Sequence, residues 1–217
     1  MPLVVVYDAN VLYPSTLRDV LIRVGLARLV RPKWTEQILD EMFRNLHANR
    51  PDLDPARLDR TRQLMNDVIR DVSVTDYEHL IEQIELPDPD DRHVLAAAIR
   101  SDAQLIVTKN LRDFPDAALS PWDVEVQHPD DFLTDLHDGH PGVLAEIVTA
   151  IARAWATDAT AEDVLDRLAV DAPAQPPSCD RPVGITPQHR SPHHSRIEAA
   201  RSDALHVRVL SMSASGG

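Results

Sequence analysis

Carboxylates recur in this chain where strands end and helices begin, which is where hydrolytic chemistry could use them. Asp8 closes the hydrophobic run of VVVYDANVLYPS, with Asn10 two residues on. Glu41 lies in WTEQILDEMFRNLHA, at the edge of the apolar arc of Trp34, Ile38, Leu39, Met42, Phe43 and Leu46. Asp90 and Asp91 head RHVLAAAIRSD: Asp91 shares a face with Val94, Leu95 and Ala98 and points inward, while Asp90 suits a helix N-cap. Asp113 follows Thr108 and Asn110 in LIVTKNLRDF. Each position also has a plain structural reading: a strand end or cap for Asp8, a packed stem with a solvated head for Glu41, a polar loop for Asp113. Brought together, two such acids about 4 Å apart repel by roughly 4 kcal/mol at an effective dielectric of about 20. Either some are then protonated or a cation sits among them. Carboxylates with Asn and Thr oxygens, and no cysteine or inward histidine, suit a hard ion such as Mg²⁺ or Mn²⁺. Such an ion polarises a phosphoryl oxygen and generates hydroxide, so the set points to phosphodiester hydrolysis.

A sheet is needed to gather these acids. The unalternated run Leu3-Val4-Val5-Val6 suits a strand buried on both faces, and AQLIVT a second one. If the two lie side by side, the polar ends of both share one edge of the sheet, where open α/β sheets bind ligands. Helical spacing covers residues 15–30 and 34–48, and a third helix runs to about Arg70 from Asp54 as N-cap and Pro55 at the first position. DVSVTDYEHLIEQIEL fits a short strand or a helix. DVEVQH fits an edge strand, and PDDFLTDL, PGVLAEIVTAIARAW and TAEDVLDRLAV fit helices, the last opening on a capping box from Thr160 to Asp163. The expected fold is α/β with a small parallel sheet. The expected division is 1–132 for the nuclease-like part, 133–172 for an acidic helical extension, and 173–217 for a Pro-, Ser-, His- and Arg-rich disordered tail.

Charge is unevenly spread over the 217 residues, whose formal net charge is -13. Residues 1–112 carry -3, residues 113–172 carry -12, and the last 45 carry +2. The balance argues against non-specific coating of DNA, yet a local basic strip can still meet nucleic acid. Arg18, Arg23, Arg28, Arg31 and Lys33 form one candidate strip; Lys109 and Arg112 flank the proposed site more closely. Cys179 is the single cysteine, which rules out an intrachain disulfide and fits a reducing cytoplasm. No apolar run approaches the roughly 20 residues needed to span a bilayer, and no secretory signal is expected. His93 falls opposite the apolar face of its helix and is expected at the surface. His189, His193 and His194 lie in the tail.

VVYDANVLYPS, EQILDEMFRNL and DPDDRHVLAAAIRSDAQLIVTKNLRDF, in that order, resemble the PIN-domain nucleases, and among them the VapC ribonuclease toxins of bacterial toxin–antitoxin pairs. The resemblance covers about residues 1–130. It implies a three-layer α/β/α PIN fold and Mg²⁺- or Mn²⁺-dependent endoribonuclease activity. It assigns the catalytic acids to Asp8, Glu41, Asp91 and Asp113, with Asp90 competing with Asp91 as a metal ligand. Asn10, Thr108 and Asn110 are the supporting polar groups. It also implies an RNA substrate, contacted by Lys109, Arg112 and Arg18, a small VapB-like antitoxin that blocks the pocket, and often a homodimer. The segment beyond residue 132 departs from the compact form of the family.

Other uses of strand-end acids fit less well. A phospho-receiver domain pairs two acids after its first strand and phosphorylates a mid-chain Asp, whereas Asp8 stands alone. A haloacid-dehalogenase-like phosphatase needs a second acid where this chain has Asn10. A catalytically inactive PIN fold serving as an RNA-binding or scaffold module is the remaining alternative.

Overall fold

The first apolar run forms the central strand β1 (Leu3–Tyr7), in which Val4 through Tyr7 are all buried. Neighbours along a strand face opposite sides, so both faces of the sheet are covered. The computed structural model, which describes residues 2–155 and 158–173, adds β2 (Val30–Lys33), β3 (Leu105–Val107) and β4 (Glu125–Gln127). The order is β2-β1-β3-β4 and every pairing is parallel, with Leu3 opposite Val30, Val6 opposite Ile106 and Val107 opposite Gln127. The chain leaves β1 for β2 on one side and later returns to β3 on the other. The carboxyl ends of β1 and β3 therefore flank a topological switch point.

Helices α1 (Ala9–Leu12) and α2 (Ser15–Leu26) carry the chain from β1 to β2. Gly25 lets α2 pass over β2: a Cβ there would stand 2.6 Å from Pro32 Cγ, closer than packing allows. Helix α3 (Glu36–Asn49) starts at Thr35, whose hydroxyl accepts the Ile38 amide at 3.1 Å. In α4 (Pro55–Val68) Asp54 caps the Ala56 amide at 3.0 Å with Pro55 first in the helix, as expected. The segment that fitted either strand or helix contains both. Trp34 and Ser73 form a bridge, with the Trp34 amide donating to Val72 at 3.1 Å, and α5 (Glu78–Ile81) follows. Helix α6 (Arg92–Arg100) packs on β1 and β3 and also against α3. After α7 (Asp116–Leu119) and β4, helix α8 (Pro129–Gly139) sets Phe132 edge-on to Tyr7, ring centroids 6.1 Å apart.

Helices α9 (Pro141–Trp155) and α10 (Ala161–Asp171) pack on each other and on α2. Helix α10 opens on the expected box: Thr160 Oγ1 accepts the Asp163 amide and Asp163 Oδ2 accepts the Thr160 amide. The observed α/β architecture is the expected one. Strand β2 is an addition, four residues long, at the sheet edge and interrupted by Pro32, which offers no amide. Beyond Pro173 the expected tail, with its three histidines, lies outside the described residues. Among the described residues no helix is long and apolar enough to cross a membrane.

Candidate active site

The corner between β1 and β3 is built from backbone outward. The Asp8 amide donates to the Val107 carbonyl at 3.2 Å and the Thr108 amide to Gln127 at 3.1 Å, so both side chains leave the same end of the sheet. Asp8 is 3% exposed and is also the N-cap of α1: its Oδ1 accepts the Ala9 amide at 2.6 Å. Its Oδ2 accepts the Thr108 hydroxyl at 2.7 Å and the Asn10 amide nitrogen at 2.5 Å. Asn10 Nδ2 also donates to Thr108 Oγ1 at 2.8 Å, while its Oδ1 accepts the Lys109 backbone amide at 3.0 Å. The Asn110 amide closes the corner on Thr108 Oγ1 at 3.1 Å. Burial pushes the Asp8 carboxyl up to about 6; the Thr108 hydrogen bond opposes the rise and the Glu41 charge adds to it.

Asp91 is held differently. It ends a single tight turn, Pro89–Asp91, at the start of α6, and its Oδ2 is buried with no hydrogen-bond partner among the described residues. Desolvation pushes this carboxyl up to about 7, followed by the charges of Asp8, Asp113, Asp88 and Glu41. One oxygen each from Asp88, Asp91 and Asp113 lies within 4.8 Å of the others. Asp113 ends the short turn Leu111–Asp113, where the Asn110 side-chain amide donates to its Oδ2. Three carboxylates this close, one with an orphaned buried oxygen, make an all-oxygen donor set that fits a hard divalent cation. Asp8, Asp90 and Glu41 lie outside this trio.

Two sequence expectations are corrected here. The turn is capped by Asp88, whose Oδ1 accepts the Asp90 amide at 2.9 Å; Asp90 is exposed and is not the cap. Asp88 was missed, although an Asp directly before a Pro at a helix start is a capping signal. His93 is 4% exposed rather than at the surface. Its helix is enclosed by the sheet on one side and α3 on the other, so every residue from 93 to 98 is buried. Its Nδ1–H donates to the Asp90 carbonyl at 2.6 Å, and its Nε2 stands 3.9 Å from Glu41 Oε2. Glu41 is 37% exposed at this side of the pocket; burial raises its pKa, Arg44 opposes, and Asp90 and Asp88 raise it further.

The candidate RNA-contacting cations are dispersed. Arg112 is exposed and Lys109 half-buried, with burial drawing its ammonium down and the Asp171 charge opposing. Arg18 turns inward: its Nη1 donates to the Leu12 carbonyl at 2.6 Å and to Tyr13 at 3.1 Å, closing the end of α1. In the rest of the early basic strip, Arg23 pairs with Asp19 at 2.7 Å, and Lys33 and Arg31 pair with Asp71 at 2.9 and 3.4 Å.

This parallel sheet, with acids gathered where β1 and β3 end, coincides with the match of residues 4–112 to the PIN domain, which spans half of the chain. The chain belongs to the PIN domain family. Residues 129–174, holding α8 to α10, match the VapC50 C-terminal domain. Among curated proteins the chain is 42% identical over 84 residues to "Putative ribonuclease VapC50" of Mycobacterium tuberculosis (strain ATCC 25618 / H37Rv), a match covering 38% of this chain. It spans half of that protein's length. No solved structure matches the chain significantly.

Proposed function

We propose that the chain is a divalent-metal-dependent endoribonuclease of VapC type. The carrying observation is the meeting of Asp88, Asp91 and Asp113 around an orphaned buried oxygen, next to Asp8 at the switch point. Similarity to a protein named as a ribonuclease supports RNA as the substrate. Asp91, Asp113 and Asp88 would hold Mg²⁺ or Mn²⁺, with Asp8 supplying negative charge beside them. The ion's contribution is Lewis acidity toward a phosphoryl oxygen and a lowered pKa for water.

The protein's own part is positional. Asn10 and Thr108 lock Asp8 from the two strands, so the corner needs no rearrangement when RNA arrives. Asn110 steadies Asp113 in the same way. Glu41, half in water, is placed to accept a proton released at the pocket mouth. Lys109 and Arg112 follow β3 directly and would meet RNA phosphates. In this reading residues 1–132 form the nuclease part, 133–172 an added layer, and the partner is a small antitoxin offering cationic side chains to the acidic pocket. That partnership places the chain as the toxin of a type II pair. A second copy of the chain is a further partner of the same reading.

The test is incubation of purified protein with total bacterial RNA in Mg²⁺, in Mn²⁺ and in EDTA, with Asp8→Asn as the control for contaminating nuclease. Discrete fragments that require both the metal and Asp8 are expected. Intact RNA in every condition, with protein shown by mass spectrometry to carry no small partner, would leave only an RNA-binding scaffold.

A further inference from the structure

Asp171 is in the wrong place twice over. It ends α10, where the helix dipole disfavours a carboxylate, and it is only 6% exposed. Its Oδ2 is buried without a hydrogen-bond partner among the described residues, and Oδ1 meets Arg167 Nε at 3.3 Å, from a side chain itself more than half exposed. One weak contact at the surface does not offset burial of a charge. The compensation comes from the other side of the interface. Helix α10 packs on α2, which carries Arg18, and the charge of Asp171 is felt by both Arg18 and Lys109. Those two cations bracket the strand-end corner. Arg18 clamps the Leu12 and Tyr13 carbonyls at the end of the short helix that Asp8 begins. Lys109 is tied by its backbone amide to Asn10, the residue that bridges β1 and β3.

We propose that Asp171 is a positioning residue for the pocket: carried in by the last helix, it is the counter-charge that holds Arg18 and Lys109 against the turn presenting Asp8 and Asn10. The carboxy-terminal helices are then a working part of the site and not an extra packing layer. Without that negative charge, the turn after Asp8 loosens and two uncompensated cations face the acid trio, so cation affinity falls. The expectation for cleavage rests on the ribonuclease reading; the expectation for metal binding does not.

The experiment is a double-mutant cycle on the full chain with Asp171→Asn, Arg18→Gln and both together, read by Mn²⁺ titration calorimetry, by kcat and KM on RNA, and by thermal unfolding. Asp171→Asn is expected to weaken Mn²⁺ binding about tenfold in the wild-type background and much less in Arg18→Gln, since coupled neighbours do not add. The kcat is expected to fall with little change in KM, and Arg167→Gln to match the wild type. Additive effects, or wild-type Mn²⁺ affinity in folded Asp171→Asn, overturn the proposal. If Asp171→Asn does not fold, the apolar pair Arg18→Met with Asp171→Leu replaces it. Wild-type Mn²⁺ affinity in that protein overturns the proposal, and a weakened one supports it. If the wild type cuts no RNA, the ribonuclease reading falls while the Mn²⁺ cycle still judges Asp171.

Discussion

Asp8 and Asp91 are both aspartates held back from water beside the ends of β1 and β3, yet their surroundings differ. Both oxygens of Asp8 are answered, by the Ala9 amide, the Thr108 hydroxyl and the Asn10 amide. Asp91 instead faces Asp88 and Asp113 and keeps a buried oxygen without a donor. The first arrangement is complete as protein: hydrogen bonds to the ionised form hold it in place. The second is incomplete as protein and becomes favourable when a cation enters. One residue type thus serves as framework at one position and as ligand at the other, and the difference lies in the donors around it.

The sharpest way to break this contrast is to neutralise each acid in turn. Asp91→Asn is expected to lower cleavage and Mn²⁺ binding by on the order of a hundredfold or more. In EDTA the same change should raise the unfolding midpoint, because it relieves repulsion with Asp88 and Asp113. Asp8→Asn should also abolish cleavage but lower stability, since its amide group must face three donors. Melting curves in EDTA that shift in the same direction for both variants would erase the distinction.

A smaller effect probes the framework alone. Thr108→Val keeps the shape but removes the hydroxyl that donates to Asp8 and accepts from Asn10 and Asn110. Urea unfolding should show a loss of about 1–3 kcal/mol, the cost of leaving buried polar groups unanswered. Mn²⁺ affinity should change far less than in Asp91→Asn.

The smallest expected effect concerns pH. The folded carboxyls of Asp8 and Asp91 titrate at about 6 and about 7, above their unfolded value of about 4. Between those values the folded chain holds protons that the unfolded chain has lost. Their contribution to stability is therefore fully present below about pH 4 and declines as pH rises toward 7. A bound divalent cation replaces those protons, so Mn²⁺ should raise the melting temperature by more at pH 8 than at pH 5. Equal gains at both values would mean that the acids are not what the cation meets.

Much of this was legible in the sequence because the signals were local. The run of buried valines, the Asp54-Pro55 helix start and the Thr160–Asp163 box each depend on neighbours within a few residues, and each formed. The harder features depend on what comes from afar. Strand β2 has four residues and a proline, and exists because β1 offers it hydrogen bonds. His93 is covered by α3, which a helix wheel of its own segment does not contain. The metal trio needed Asp88, whose capping role is local but whose meeting with Asp113 comes from the turn after β3. Arg18 reads from sequence as a surface cation; only the packed structure shows it turned onto the end of α1.

Pro32 has a consequence for how this protein can meet others. It interrupts the hydrogen-bonding ladder of β2 at one open side of the sheet, and the Trp34–Ser73 bridge occupies the stretch that follows. The opposite side is β4, three residues long and carrying the exposed Glu125. Short, charged or proline-bearing borders resist the addition of foreign strands, and with it fibrous polymerisation. A protein that binds this chain tightly must therefore grip helices and side chains, because neither border of the sheet presents a backbone template to extend.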